Sequence, residues 1–166
     1  MSLNTTPRTW TASEVVTATH MNTEVRDALV GVQAAWTTYS PTYSGISAIG
    51  NATVSAKWTR VGKSVRGHVK ITMGSSTTFS AATFLIGLPV ATHADIAVNH
   101  AIGPAFLLDS SAGSASRTAG VAVTVSSTTV MILAGNLASN QTVTNLVPWT
   151  WTTSDILSFG FEYEAA

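Results

Sequence analysis

The chain has 166 residues, which is enough for one domain with a sizeable core. Charged residues are 10% of it, and eight Lys and Arg balance eight Asp and Glu, so the composition supplies no basic field for nucleic acid or an anionic membrane. The absence of cysteine excludes disulfides, thiol catalysis and cysteine-based zinc sites.

The first 36 residues differ in pattern from the rest of the chain. Residues 1–17 are polar and predict an extended anchoring arm, in which Trp10 is expected to bind a neighbour. Residues 18–36 predict a helix with Thr17 as its N-cap. The helix is expected either to form a symmetric bundle or to lie against its own β-domain. Its expected role is oligomerisation or docking. Its narrow apolar seam consists of Met21, Val25, Ala28, Val32 and Ala35.

From residue 37 to residue 166 the apolar pattern changes to a period of two. The clearest signal is a hairpin around Gly62-Lys63, in which Val65, Val69 and Ile71 alternate with polar residues. Such alternation predicts strands with one face buried and one face in solvent.

The remaining pattern completes a mainly β fold. Residues 120–125 and 129–133 predict a second hairpin, and residues 97–108 predict a strand pair broken near Gly103-Pro104. In the last strand Leu157, Phe159, Phe161 and Tyr163 are predicted to point inward. Many short strands with turns between them predict an antiparallel β-sandwich, jelly-roll-like, behind the arm and the helix.

The sequence offers little for catalysis. His93, Asp95 and His100 form a loose cluster without metal-ligand spacing, for which we favour the interpretation of polar loop residues. We therefore predict no catalytic residue, no metal site, no cofactor and no enzymatic activity. Trp149 and Trp151 have two interpretations: they stack on a sugar, or they cover a sheet edge or a subunit contact.

The arm and the helix start resemble a known pattern. Trp10, Glu14-Val15-Val16-Thr17-Ala18, Asn22 and Arg26-Asp27 are similar to the opening of small virion proteins of tailed phages, especially those of actinobacteria. Ser13 stands where that pattern usually has Gly. A looser similarity extends over residues 36–65, and Leu88-Pro89-Val90 resembles a stretch found beyond it, so the likeness covers roughly the first 90 residues.

The resemblance implies a virion structural protein that forms a homotrimer on the exterior of the particle and is made in the host cytoplasm. Its implied partners are copies of itself and the major capsid protein or tail proteins of the same virion. The short chain without a shaft favours a capsid decoration or head fibre. The alternative is a minor tail or short tail-fibre protein that binds a host-surface glycan. Neither nucleic acid nor membrane insertion is expected.

Overall fold

The computed structural model describes residues 8–32, 35–112, 116–135 and 141–166. The first seven residues of the predicted arm lie outside the described residues. So do parts of the two long polar loops, and the side chains of Ala28 and Val32.

The helix begins where the sequence predicts. The Thr17 hydroxyl accepts the backbone N–H of His20 at 3.2 Å, which satisfies one of the free donors at a helix start. The segment then runs as α1 (Ala18–Met21), a π-helical turn (Asn22–Arg26) and α2 (Asp27–Val32).

The predicted helix end at residue 36 is wrong. Ala35 and Trp36 are not helical, and strand β1 (Thr37–Thr38) begins directly after them. The physical reason is the pairing of Thr37 with Trp58, which requires extended backbone at this point. Trp36 therefore belongs to the junction with the β-domain and not to the helix.

The rest of the described chain is built from β-strands and one 3₁₀ turn. The strands after β1 are β2 (Tyr43–Ser44), β3 (Ile46–Ala48), β4 (Thr53–Val61), β5 (Ser64–Thr72), β6 (Thr78–Phe79), β7 (Leu85–Gly87), β8 (Ala101–Leu108), β9 (Arg117–Ser126), β10 (Thr129–Ala134), β11 (Gln141–Thr142) and β12 (Ile156–Glu164). The 3₁₀ turn spans Ala94–Ile96, between β7 and β8.

The fold is the predicted antiparallel β-sandwich, made from one curled sheet. Its strand order is β1-β4-β5-β12-β8-β9-β10-β7-β2, with β11 beside β10, and every pairing in the described chain is antiparallel. Strands β3 and β6 pair separately. Both predicted hairpins, β4–β5 and β9–β10, are confirmed.

The two edges of the curled sheet are joined by one short piece of chain. Strand β1 pairs with β4 at one end of the strand order, and β2 pairs with β7 at the other end. Between them Tyr39 donates its N–H to Ala56, and Thr42 accepts the N–H of Gly87 at 2.9 Å. Both edge strands have only two residues, and short edge strands are one device by which proteins limit pairing with other chains.

The core lies between the two halves of the sheet. The predicted inward residues of β12 and β5 are buried, among them Leu157, Phe159, Val69 and Ile71. Burial of these apolar side chains is the main favourable term for folding. The outward residues of the same strands are mostly polar, so one face of each strand is left for solvent or for contacts.

Residues 97–108 do not form the predicted strand pair. They contain the single strand β8, with a β-bulge between Ala101 and Gly103. Strand β12 pairs with β8 only over Ala105–Leu108, so Pro104 lies just outside this pairing. A proline, which has no backbone N–H to donate, is tolerated at such a position. Gly103 lies so close to β12 that an added Cβ would collide with the carbonyl oxygen of Gly160.

We expect Gly103→Ala to destabilise the domain by about 2 kcal/mol, because the colliding atom is backbone and β8 must shift away from β12. The matched control is Gly160→Ala, whose Cβ would lie 3.9 Å from its nearest neighbour, an ordinary contact. Urea unfolding monitored by tryptophan fluorescence compares the two variants with the parent. Equal stability of both variants would contradict the close approach of β8 and β12.

Candidate docking surfaces

The arm folds against the start of the helix. Glu14 accepts hydrogen bonds from the Arg8 guanidinium and from the backbone N–H of Thr11. The Arg8 guanidinium lies 5.5 Å from the Trp10 ring centre, and Trp10 meets His20 edge to face at 5.9 Å. The Thr11 N–H and the nearby Arg8 charge lower the pKa of the Glu14 carboxyl. These contacts fix the direction in which the arm leaves the helix.

The turn at Ser13 adopts a conformation that favours glycine. Glu14 donates its N–H to the carbonyl of Thr11 at 3.1 Å, which closes a four-residue turn. Ser13, the third residue of this turn, has a φ of 65°. A positive φ at that position is typical of Gly, the residue that the phage pattern usually has there.

Large apolar side chains of the arm and helix are exposed. Met21, Val25 and Leu29 are 47%, 42% and 56% exposed, and neither α1 nor the π turn contains a buried residue. Of the other predicted docking residues, Trp10 is also exposed, and Ala35 is exposed but lies after the helix.

The π turn changes the predicted seam. Asp27 donates its N–H to Asn22, five residues earlier, so the turn holds more residues than an α-helical one and rotates the next part of the helix. Residues at steps of four are thereby brought closer to one line, on which Leu29 continues Met21 and Val25. No local sequence pattern predicts this turn. We name the line of Met21, Val25 and Leu29 the helix row.

Trp151 is not available to a sugar, which corrects one of the two predicted glycan contacts. It is 4% exposed, packs on Phe84 and Trp149 at ring distances of 5.7 and 5.6 Å, and donates its indole N–H to the Thr144 carbonyl at 2.9 Å. Trp149 is half-buried against the core. Trp151 belongs to the core of the sandwich and Trp149 packs against that core, a placement that neither of the two interpretations gave.

The histidine cluster comes together only in part. His93 and Asp95 approach to 3.5 Å, whereas His100 uses its backbone N–H on the Thr124 hydroxyl. Within the described ranges no group of three or more His, Asp and Glu residues is placed to hold a metal ion. The observed contacts serve the 3₁₀ turn, since the His93 side chain also accepts the backbone N–H of Asp95.

Two tyrosines lie in the interior near the segment that joins the sheet edges. Tyr163 donates its hydroxyl to the Val90 carbonyl at 2.7 Å, and burial raises its pKa to about 12. Burial, followed by the nearness of Tyr163, raises the pKa of Tyr39 well above its ordinary value. Among the described residues the Tyr39 hydroxyl has no hydrogen-bond partner.

We expect stability to fall as the pH rises from 10 towards 12. The pKa values of Tyr39 and Tyr163 are higher in the folded protein than in the unfolded chain. Their contribution to the free energy of unfolding is therefore complete below pH 10, and it is lost as the pH rises through the folded-state pKa values.

Tyr39→Phe should weaken this loss and leave stability at pH 7 equal or higher by up to about 1 kcal/mol, because it removes an unpaired hydroxyl. Tyr163→Phe, which breaks a made hydrogen bond, should lower stability at pH 7. Urea unfolding at pH 7, 10 and 11 measures both, and a Tyr39→Phe loss equal to that of Tyr163→Phe would contradict the unpaired state of the Tyr39 hydroxyl.

A shallow groove crosses the outer face of the sheet above β12, between β5 and β8. It consists of two adjoining depressions of about 320 and 410 Å³ that share Pro104 and Gly160. Gly160 leaves the floor open, because it puts no side chain above β12. We name this surface the outer groove, and its main lining residues are Trp36, His68, Lys70, Pro104, Phe106 and Gly160.

The two walls of the outer groove differ in chemistry. On the β5 side Trp36 rests on His68 with ring centres 5.6 Å apart, beside Lys70. On the β8 side Phe106 and Pro104 form an apolar wall. Trp36 is 50% exposed and Phe106 is 42% exposed. This surface was not predicted from the sequence, although residues 57–70 hold five Lys or Arg and no acid.

Comparisons with protein-family models, with curated proteins and with solved structures find no match for this chain. In the part of the chain that the structure describes, no helix has the length and apolar character needed to cross a bilayer. The functional interpretation therefore depends on the geometry of these surfaces and on the residues of the arm.

Proposed function

We propose that the chain is a structural protein of a tailed-phage virion, a trimeric capsid decoration or head fibre on the particle exterior. The observation that carries the proposal is the exposed apolar surface of residues 10–30. Trp10, Val15, Val16 and the helix row are all exposed there, within one short segment.

Such a segment is costly to leave in water. Contiguous exposed apolar surface on a protein marks a contact with another molecule or a site of aggregation. A helix of this length is also marginal when it packs on nothing. Both facts favour a working state in which other chains cover the segment. The arm, with Trp10, Val15 and Val16, then docks to the particle, and the helix row holds copies together.

The sequence pattern of the arm agrees with this assignment. Residues 10–27 resemble the opening of small phage virion proteins, and Ser13 has a positive φ, the conformation that favours the glycine usual at that position of the pattern. The alternative, a short tail fibre that binds host glycan through Trp149 and Trp151, is weakened because Trp151 lies in the core.

Mass in solution, measured by light scattering after size exclusion, tests the assembly. We expect three times the chain mass of 17.3 kDa for the parent, and smaller species for Val25→Lys, which puts a charge in the helix row. Val98→Lys is the matched control, because Val98 is 59% exposed and lies outside the arm and helix; it should keep the parent mass. A parent that stays monomeric at micromolar concentration would overturn the trimer.

Particle association tests the virion assignment. Gradient-purified virions from cells that express the gene should contain the chain in many copies, as judged by quantitative mass spectrometry against the major capsid protein. A chain that stays at the top of the gradient in every preparation would overturn the assignment, whatever its oligomeric state.

A further inference from the structure

We propose that the outer groove is filled by the helix of a second copy of this chain, with the helix row pressed between the two walls. The inference rests on the proposed trimer and adds how its copies contact one another. Each copy would give its helix to one neighbour and receive the helix of the other.

The spacing of the two surfaces agrees. Residues four apart in a helix rise by about 6 Å along its axis. Residues two apart in a strand rise by about 6.6 Å, so the outward side chains of β5 and β12 repeat at almost the same interval. A ridge of Met21, Val25 and Leu29 can therefore follow the groove over its length, above the open floor at Gly160.

The chemistry of the two surfaces is complementary. The apolar helix row faces Phe106 and Pro104, which are apolar and belong to the exposed wall of β8. Beside the row the helix carries Glu24 and Asp27, and Asp27 also pairs with Arg26 at 2.8 Å. The opposite wall of the groove carries Lys70 and His68 beside Arg66, and the one acid among the lining residues of the groove, Glu162, already pairs with Arg66 at 2.9 Å. Contacts of this kind select the orientation of the helix.

A second copy explains both surfaces with one contact. No described helix residue lines the groove of its own chain. A contact between two different patches of the same chain is head to tail, and it closes into a ring when the rotation between copies is a simple fraction of a turn. Three copies related by one third of a turn leave neither the helix row nor the outer groove open.

Cysteine cross-linking tests the contact directly, because the natural chain has no cysteine. Leu29→Cys and Phe106→Cys are made in separate chains with different affinity tags, co-expressed and oxidised. We expect a covalent dimer that carries both tags. Either variant alone should give no dimer. The control pair of Leu29→Cys with Val98→Cys uses an exposed valine away from the groove and should give none.

The other outcomes separate the alternative arrangements. A dimer from Leu29→Cys alone, with a trimeric parent, would show a symmetric helix bundle; it would overturn the groove contact and leave the proposed function standing. A further variant carries Leu29→Cys and Phe106→Cys in the same chain. If it forms a disulfide within one chain and the parent is monomeric, both the groove contact and the proposed trimer are overturned. A trimeric parent that gives no cross-link of either kind would also overturn the groove contact.

Charge reversal provides a second measurement. The charged residues are substituted, while the two cysteines stay at positions 29 and 106. Lys70→Glu should lower the yield of the two-tag dimer several-fold, because it places an acid beside Glu24 and Asp27. Glu24→Lys in the partner chain should restore most of the yield. An unchanged yield in Lys70→Glu would contradict the predicted orientation of the helix in the groove.

Discussion

Replacing Trp151 with alanine is expected to lower the free energy of unfolding by about 4 kcal/mol, the largest effect predicted for this chain. The side chain packs between Phe84 and Trp149 in the core, so alanine would leave a large cavity there. The lost indole N–H also leaves the Thr144 carbonyl without that donor.

Chemical denaturation followed by far-ultraviolet circular dichroism measures the effect, because the signal does not depend on tryptophan. Leu146→Ala is the control: it removes an apolar side chain from the same stretch, but Leu146 is exposed, so the change should be within about 0.5 kcal/mol. If Trp151→Ala were as stable as the control, the placement of Trp151 in the core would be wrong. Loss of sugar binding in this variant would accordingly report unfolding and not a missing contact.

The second large effect is expected at Asp155, where alanine should cost about 3 kcal/mol. The carboxylate is fully buried and receives donors on both oxygens. Its Oδ1 accepts from the backbone N–H and the hydroxyl of Ser110, and its Oδ2 accepts from the backbone N–H of Thr152 at 2.7 Å. It thereby ties the loop after β8 to the turn before β12, and alanine would leave several partly buried donors without this acceptor.

Asp95→Ala is the matched control for Asp155→Ala. Asp95 is an exposed acid that pairs with His93, and an exposed pair of this kind contributes little to stability. Thermal unfolding should therefore separate the two variants clearly. Equal melting temperatures for Asp155→Ala and the parent would mean that water replaces the carboxylate without cost, which would contradict the structural role given to Asp155.

Alternation along a strand was enough to predict which residues face the core. In β12 the residues Leu157, Phe159, Phe161 and Tyr163 are buried as predicted, because the side-chain period of two depends only on local backbone geometry. Strand order was not predictable in this way. That β12 would lie between β5 and β8 depends on partners distant in sequence, and no local pattern of residues specifies them.

The two candidate surfaces also differ in how far local sequence predicts them. The apolar face of the helix, with Met21, Val25 and Leu29, follows from its periodicity, whereas the π turn within it depends on backbone hydrogen bonding that no periodicity predicts. The outer groove arises from three strands, since Gly160 opens the floor while Phe106 and Lys70 come from either side. The prediction that Trp151 lies on the surface is wrong, because a tryptophan near a proline looks the same in the sequence whether it lies on a surface or at the end of a core.

The position of β12 also governs when this domain can fold during synthesis. The strand that joins the β4–β5 hairpin to the β8–β9–β10 meander is the last one in the chain. Until residues 156–164 have been made, the β5 and β8 edges have no strand to pair with between them. The whole sheet can therefore close only after residues 156–164 have left the ribosome, and a chain that is truncated before them lacks the strand that joins the two halves.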